Sequence, residues 1–298
     1  MKTLLFIYNA SSGKGKISAG LSSVLDIFAK RGYLVTAYPT QSKGDATRAA
    51  RELGPQFDRV VCSGGDGTLN ETVAGLMELE QPPLLGYIPT GSTNDCAKTL
   101  HIPKDPTKAA ALAAGDGFPR PWDIGTLNDQ PFVYVAAFGA FTEVSYETPQ
   151  ELKHAFGHLA YVMEGIASLP SIAPYHLKVE YDGKELEDDF FYGMVCNTIS
   201  VGGVKTMHSD RVVLDDGLFE VVLVKRPMSI LELAAGLQSL FLQAPVEEGS
   251  ALISFQASHI KFTSEKPIPW TVDGEYGGSH EVSMVKNHPR AITIMQGK

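Results

Sequence analysis

Residues 60–71 read Val-Val-Cys-Ser-Gly-Gly-Asp-Gly-Thr-Leu-Asn-Glu, an apolar run that passes through Gly64-Gly65-Asp66-Gly67 into a helical segment. Glycines let backbone N–H groups approach a ligand closely, and a helix N-terminus offers free N–H groups and partial positive charge. Phosphate suits such a turn. Asp66 would stand at the carboxyl end of a strand, where open α/β sheets bind ligands. The plainer alternative is a tight turn whose acid only caps the helix; three glycines and an acid on one strand-to-helix turn argue against it.

A second loop repeats the pattern in Gly86-Tyr87-Ile88-Pro89-Thr90-Gly91-Ser92-Thr93-Asn94-Asp95. A third, Asn9-Ala10-Ser11-Ser12-Gly13-Lys14-Gly15-Lys16, resembles a phosphate loop without P-loop spacing. Lys14 and Lys16 could meet phosphate as point charges or stand as solvated loop residues. Two acidic turns complete the set: Asp215-Asp216-Gly217 and Asp273-Gly274-Glu275. Each reads alone as a hairpin turn, but carboxylates and carbonyls also suit Mg²⁺ or Ca²⁺ better than Zn²⁺. The eight histidines include one HxxxH spacing, His154 to His158, and no HxH pair; histidine remains a poor metal-ligand candidate on this showing, and no GxSxG is present.

The elements that must carry these loops alternate over the first 125 or so residues. Strands are expected at Leu4–Tyr8, Leu34–Tyr38, Arg59–Cys62 and Leu84–Ile88, with helices at Ile17–Arg31, Gly44–Leu53 and about Leu69–Glu80. That order implies an open parallel sheet with helices on both faces. From about Gly125 strands dominate: Phe132–Phe138, Tyr175–Tyr181, Phe190–Asn197, Leu218–Val224, Ile260–Thr263 and Trp270–Val272, with turn signals such as Asp182-Gly183. Helical patterns at Ala155–Leu169 and Ile230–Gln243 interrupt this second, mostly antiparallel β domain. The second helix, rich in leucine, reads as core or as a face meeting a lipid tail or bilayer.

The chain has 298 residues and a formal net charge of -9, which argues against nucleic acid but not against small phosphorylated ligands. Three cysteines without CxxC spacing fit a reducing compartment, and Cys62 and Cys196 read as buried thiols. No apolar run approaches the ~20 residues that span a bilayer. The N-terminal apolar stretch is too short for a signal peptide. A cytoplasmic protein is expected.

Together these motifs resemble the diacylglycerol kinase catalytic family, particularly soluble bacterial lipid kinases and sphingosine-kinase relatives. The resemblance runs through Asn9–Lys14, Gly64–Glu71, Pro89–Asp95, Trp122-Asp123-Ile124-Gly125, Asn197–Gly203, Asp215-Asp216-Gly217 and Asp273-Gly274-Glu275. It implies a nucleotide-binding domain like that of NAD kinases and phosphofructokinases, at residues 1–124 with a returning segment 289–298 that includes a strand at Ala291–Met295. A β-sandwich substrate domain would occupy 125–288. The resemblance further implies ATP-dependent transfer of a phosphoryl group to a lipid hydroxyl, with Mg²⁺. Asn9, Ser11, Ser12, Gly13, Thr40, Gly64, Gly65, Asp66, Gly67, Thr68, Asn70, Glu71, Thr90 and Asn94 would meet nucleotide. Asp66 and Asp95, supported by Asp123, would hold the catalytic Mg²⁺ network; Glu275 would be the general base and Asp273 its neighbour. Asp216, with the carbonyls of Val213 and Leu218, matches a structural Mg²⁺ site.

Glu164 stands where relatives acting on diacylglycerol often carry lysine, and Ile17-Ser18-Ala19-Gly20 is poor in basic residues, so the acceptor stays open. Transient peripheral membrane contact is implied, and a homodimer is one option for assembly. An NAD-kinase-like enzyme and a non-catalytic nucleotide or lipid sensor are the rival readings.

Overall fold

The computed structural model describes residues 1–139, 174–198, 200–201, 204–205, 212–225 and 252–298. The two expected helices at 155–169 and 230–243, Glu164 among them, lie outside these residues, as do positions 199, 202 and 203 of the Asn197–Gly203 motif and the side chains of Lys14 and Lys16. The chain divides into two compact units, Met1–Ile124 with Leu214–Asp216 and His288–Lys298, and Gly125–Val213 with Gly217–Asn287.

The first unit is α/β. In chain order it contains β1 (Lys2–Tyr8), α1 (Lys16–Lys30), β2 (Tyr33–Pro39), α2 (Asp45–Leu53), β3 (Arg59–Gly64), α3 (Asp66–Met77), β4 (Leu84–Pro89), α4 (Asp95–Thr99) and α5 (Pro106–Ala111). The strands lie in the order β2-β1-β3-β4, all parallel, and the end of the chain joins β4 through Ile294 and Leu85. Leu4 to Ile7 of β1 are fully buried, as a strand covered on both faces requires. Right-handed crossovers send α1 to one face and α2 and α3 to the other. The packing agrees, with α1 against α5 and α2 against α3. The helix expected from about Leu69 begins at Asp66 instead, because Gly64 already ends β3 through its carbonyl, which accepts from Thr90 N–H at 2.8 Å.

The second unit is a β-sandwich. It takes part of β5 (Phe118–Leu127), then β6 (Gln130–Phe132), β7 (Val135–Gly139), β8 (Tyr175–Tyr181), β9 (Lys184–Cys196), β10 (Ser200–Val201), β11 (Val204–Lys205), β12 (Phe219–Lys225), β13 (Leu252–Ala257), β14 (His259–Val272) and the start of β15 (Glu275–Gln296). Its pairings are antiparallel. The long strands turn from one layer to the other: β9 pairs β8 through Lys184–Phe190 and β7 through Tyr192–Cys196, and β14 pairs β8 through Ile260–Ser264 and β7 through Trp270–Val272. Between them lies an aromatic core in which Phe138 meets Trp270 at 4.9 Å and Phe262 at 5.7 Å, ring centre to centre.

Three expectations change here. Ile260–Thr263 and Trp270–Val272 belong to one strand, whose ladder slips register around Pro267, a residue with no N–H to donate. The run Phe132–Phe138 breaks at Val133–Tyr134, for a reason that lies in Asp273. The returning segment is the end of a 22-residue strand rather than a short edge, and it pairs β5 as well as β4.

Candidate active site

Because β1 to β4 run in parallel, the loops that follow them emerge at one edge of the sheet. Backbone hydrogen bonds continue past the strands: Asn9 N–H to Ser63 O (2.9 Å), Thr40 N–H to Tyr8 O (2.9 Å) and Thr90 N–H to Gly64 O (2.8 Å). The edge therefore gathers Asn9, Thr40, Gly64–Asn70 and Thr90–Asp95.

Glycine sets how closely the two central loops approach. A Cβ on Gly91 would fall 2.5 Å from Gly65 Cα and 2.8 Å from Asn94 Oδ1. One on Gly64 would fall 2.2 Å from Thr68 Oγ1. Asn94, at a left-handed φ of 51°, closes its loop by accepting from Gly91 N–H (3.0 Å) and donating to Gly91 O (2.8 Å). Tyr87 OH donates to Gly64 O at 3.2 Å from beneath. Gly65, Gly67 and the first turn of α3 thus face the edge with N–H groups that the helix itself does not use.

Asp66 ties this turn to the next. Its carboxylate accepts from the N–H groups of Asp95 (3.2 Å) and Cys96 (3.4 Å) at the start of α4. Burial, and next the Asp95 charge, push its pKa up to about 6, although both N–H bonds oppose the shift. Asp95 is fully buried and forms an ion pair with Lys98 Nζ at 3.0 Å. Ser63 Oγ and Thr90 Oγ1 are buried without a hydrogen-bond partner among the described residues.

The first loop is self-organised. Asn9 Oδ1 accepts from Ser11 N–H (3.0 Å), Ser12–Lys14 form a 3₁₀ turn, and Gly13 and Gly15 take φ of 58° and 74°. The carboxylate of Glu71 accepts from Gly44 N–H (2.9 Å) and Ala46 N–H (3.3 Å), where β2 leads into α2. It thereby caps α2.

Asp123 is fully buried, and its Oδ1 accepts from Arg290 N–H at 2.7 Å, which anchors the returning strand within the first unit. Beside it, Asp123 N–H donates to Leu214 O (2.7 Å), and Arg120 pairs with Asp215 at 2.6 Å. Asp216 follows in that segment, while Val213 and Leu218 belong to the second unit. No group of three or more His, Cys, Asp or Glu side chains placed to hold a metal occurs among the described residues.

In the second unit Val272 pairs with Glu275 across a two-residue turn, Asp273-Gly274, with φ of 49° and 82°. Positive φ at both positions gives the turn type whose twist suits a hairpin. The Asp273 carboxylate is buried and accepts three backbone N–H groups, from Val133 (2.7 Å), Tyr134 (3.0 Å) and Val135 (3.0 Å). Those bonds replace the ladder where the run Phe132–Phe138 breaks, and they root the hairpin in the sandwich. Asp273 is thus an anchor in this structure, whereas Glu275 is exposed at the tip.

Four residues of the edge escaped the sequence reading of the site. Gly91, Tyr87, Lys98 and Ser63 build it through a close approach, a buried hydroxyl, an ion pair and a buried oxygen. Ser63, Tyr87 and Gly91 had a signal, their place in the two loops; Lys98 had none.

Comparison with known proteins covers both units. Residues 3–127 match the family model described as diacylglycerol kinase catalytic domain, and residues 136–296 match the YegS C-terminal NAD kinase beta sandwich-like domain. A diacylglycerol kinase of Bacillus subtilis (strain 168) is 37% identical over 279 residues, covering 93% of this chain and 91% of the relative. One of Staphylococcus aureus (strain bovine RF122 / ET3-1) is 37% identical over 281 residues, covering 93% and 87%. A crystal structure of a diacylglycerol kinase from Bacillus anthracis str. Sterne superposes with TM-score 0.77 at 23% identity, covering 99% of this chain and 97% of that one, and so shares the fold.

Proposed function

The chain belongs to the diacylglycerol kinase catalytic family and is a lipid kinase, and from that premise we propose that it moves the γ-phosphoryl group of ATP to the hydroxyl of diacylglycerol or a closely related lipid. The product would be of the phosphatidic-acid type. The observation that carries the donor half is the clasp between Asp66 and the Asp95–Cys96 backbone, which holds two glycine loops and a helix N-terminus at one sheet edge. Phosphoryl transfer asks the protein chiefly for positioning and charge. In this reading the N–H groups of Gly65, Asp66 and Gly67 cradle phosphate oxygens, Thr90 and the Asn9–Gly13 loop hold the rest of the nucleotide, and Thr40 closes its far side.

The residues suit Mg²⁺. Asp66 and Asp95 offer oxygen only; burial first, and the Asp95 charge second, raise the pKa of Asp66, and a divalent cation would offset both by favouring the ionised carboxylate. When bound there, Mg²⁺ would neutralise charge on the transferred phosphoryl group. Asp123 keeps the returning strand beside these loops in the same unit, and Asp216 with the Val213 and Leu218 carbonyls is proposed as the structural site. Glu275, exposed at a hairpin tip that Asp273 anchors, takes the proton of the lipid hydroxyl as it attacks. Peripheral contact with a membrane surface is part of the proposal, since the acceptor is a lipid; no described helix is long and apolar enough to cross a bilayer.

The test is a phosphotransfer screen with Mg²⁺ and radiolabelled ATP across diacylglycerol, sphingoid bases, phosphatidylglycerol and NAD. Label in phosphatidic acid supports the proposal. Label in NADP alone would replace it with the nucleotide-kinase reading, and no transfer with intact ATP binding would favour a sensor.

A further inference from the structure

The strand that begins at Glu275 carries one residue more than its partner just beyond the hairpin tip. Val272 pairs with Glu275 and Thr271 with Tyr276, whereas Pro269 pairs with Ser279 and Ile268 with His280. Trp270 therefore stands opposite two residues, Gly277 and Gly278, and the ladder bulges there. A slip of one residue turns every side chain beyond it to the other face of the ribbon. Lying two residues from Glu275, the bulge decides which face of the hairpin presents that carboxylate.

Side chains on both flanks hold the bulge. Gly278 takes a φ of 94°, and the imidazole of His280 fills the space a side chain there would need, with Nε2 2.6 Å from the position of a Cβ. The same Nε2 lies 3.1 Å from Gly277 O. A carbonyl oxygen only accepts, so the proton of this bond resides on Nε2. On the other flank a Cβ on Gly277 would fall 2.5 Å from Val272 Cγ2. Tyr276 and Ser279 bridge across the bulge through their hydroxyls at 2.9 Å.

We propose that His280 is a positioning residue for phosphoryl transfer: by latching the Gly277–Gly278 bulge it sets the direction in which the hairpin tip presents Glu275. This rests on the reading of Glu275 as the base. His280 acts on Glu275 only through the backbone of the bulge, so its removal should lower kcat and leave nucleotide binding alone, as a misdirected base would.

The experiment compares wild type, His280→Ala and His280→Gln in the full chain, using ATP, Mg²⁺ and diacylglycerol in mixed micelles. A Gln amide places an N–H near the position of imidazole Nε2. His280→Ala should lose on the order of tenfold or more in kcat, with KM for ATP and the thermal midpoint little changed, and His280→Gln should restore most of the loss. Wild-type kcat in His280→Ala overturns the proposal, as does a fall in thermal midpoint that accounts for the lost activity, or a Gln variant no better than Ala. Amide hydrogen exchange, which needs no substrate, separates this idea from the kinase reading. Faster exchange confined to the amides of residues 275–279 in His280→Ala supports the latch even if wild type fails to phosphorylate the lipid. Unchanged exchange there overturns it.

Discussion

Asp66 lies at the first position of one helix and takes a hydrogen bond of 3.2 Å from the backbone N–H of Asp95, at the first position of another. Two loops separated by some thirty residues of chain are thereby fastened through a single carboxylate. The fastening also brings half-buried Asp66 beside buried Asp95, and desolvation first, with the Asp95 charge next, lifts the pKa of Asp66 up to about 6.

That shift has a sign that can be tested. A carboxyl whose folded pKa is raised stabilises the fold fully below its unfolded pKa and loses that contribution as pH climbs through the folded value. Asp66 should therefore cost stability between about pH 4 and pH 6, by on the order of 1–3 kcal/mol, since one pKa unit is worth about 1.4 kcal/mol. Urea denaturation without divalent cation, at pH 4.5 and pH 7, should show this loss in wild type and a smaller one in Asp66→Asn. Equal losses in the two proteins would contradict the burial-driven shift.

Gly91→Ala probes the close approach of the loops. Its Cβ would sit 2.5 Å from Gly65 Cα, a backbone contact that no rotamer relieves. The variant should fold, with KM for ATP raised about tenfold or more, because loops pushed apart misplace their N–H groups. Calorimetry of ATP binding checks it; an unchanged affinity would mean that the approach serves packing alone.

Glu275→Gln keeps shape and exposure but removes the proton acceptor. Turnover should fall by roughly 10²–10⁴-fold, while ATP affinity stays near wild type. Steady-state kinetics beside a binding titration decides the matter, and a variant that turns over normally would remove Glu275 from the mechanism.

Asp273→Ala should act differently from its neighbour. Three backbone N–H groups, on Val133, Tyr134 and Val135, lose their acceptor in a buried place. A stability loss of about 2–4 kcal/mol is expected from chemical denaturation. Loss of activity with full stability would instead point to a direct role in the reaction.

Much of this was legible in the residues. Alternating apolar runs and helical spacing over the first 125 residues reveal a parallel α/β unit, because strands buried on both faces must be continuously apolar. Gly64-Gly65-Asp66-Gly67 reveals a tight strand-to-helix turn, because three glycines and an acid between an apolar run and a helical pattern suit little else. The β-rich second half reads less well. Prolines hide β5, charge hides the first half of β9, and glycine and polar residues hide the start of β15. Those strands exist because partners supply their hydrogen bonds, and local propensity weighs little against that.

By itself the sequence determined the loops, their acids and the order in which strands deliver the first of them to one edge. Only the tertiary structure decided what each acid does within its own unit. Asp66 fastens two loops, Glu71 caps α2, Asp123 holds the returning strand and Asp273 anchors a hairpin, since a carboxylate's role follows from which N–H groups the fold brings within 3 Å or so of it. Glu275, two residues along from Asp273, is left exposed at the tip by the same turn that buries its neighbour.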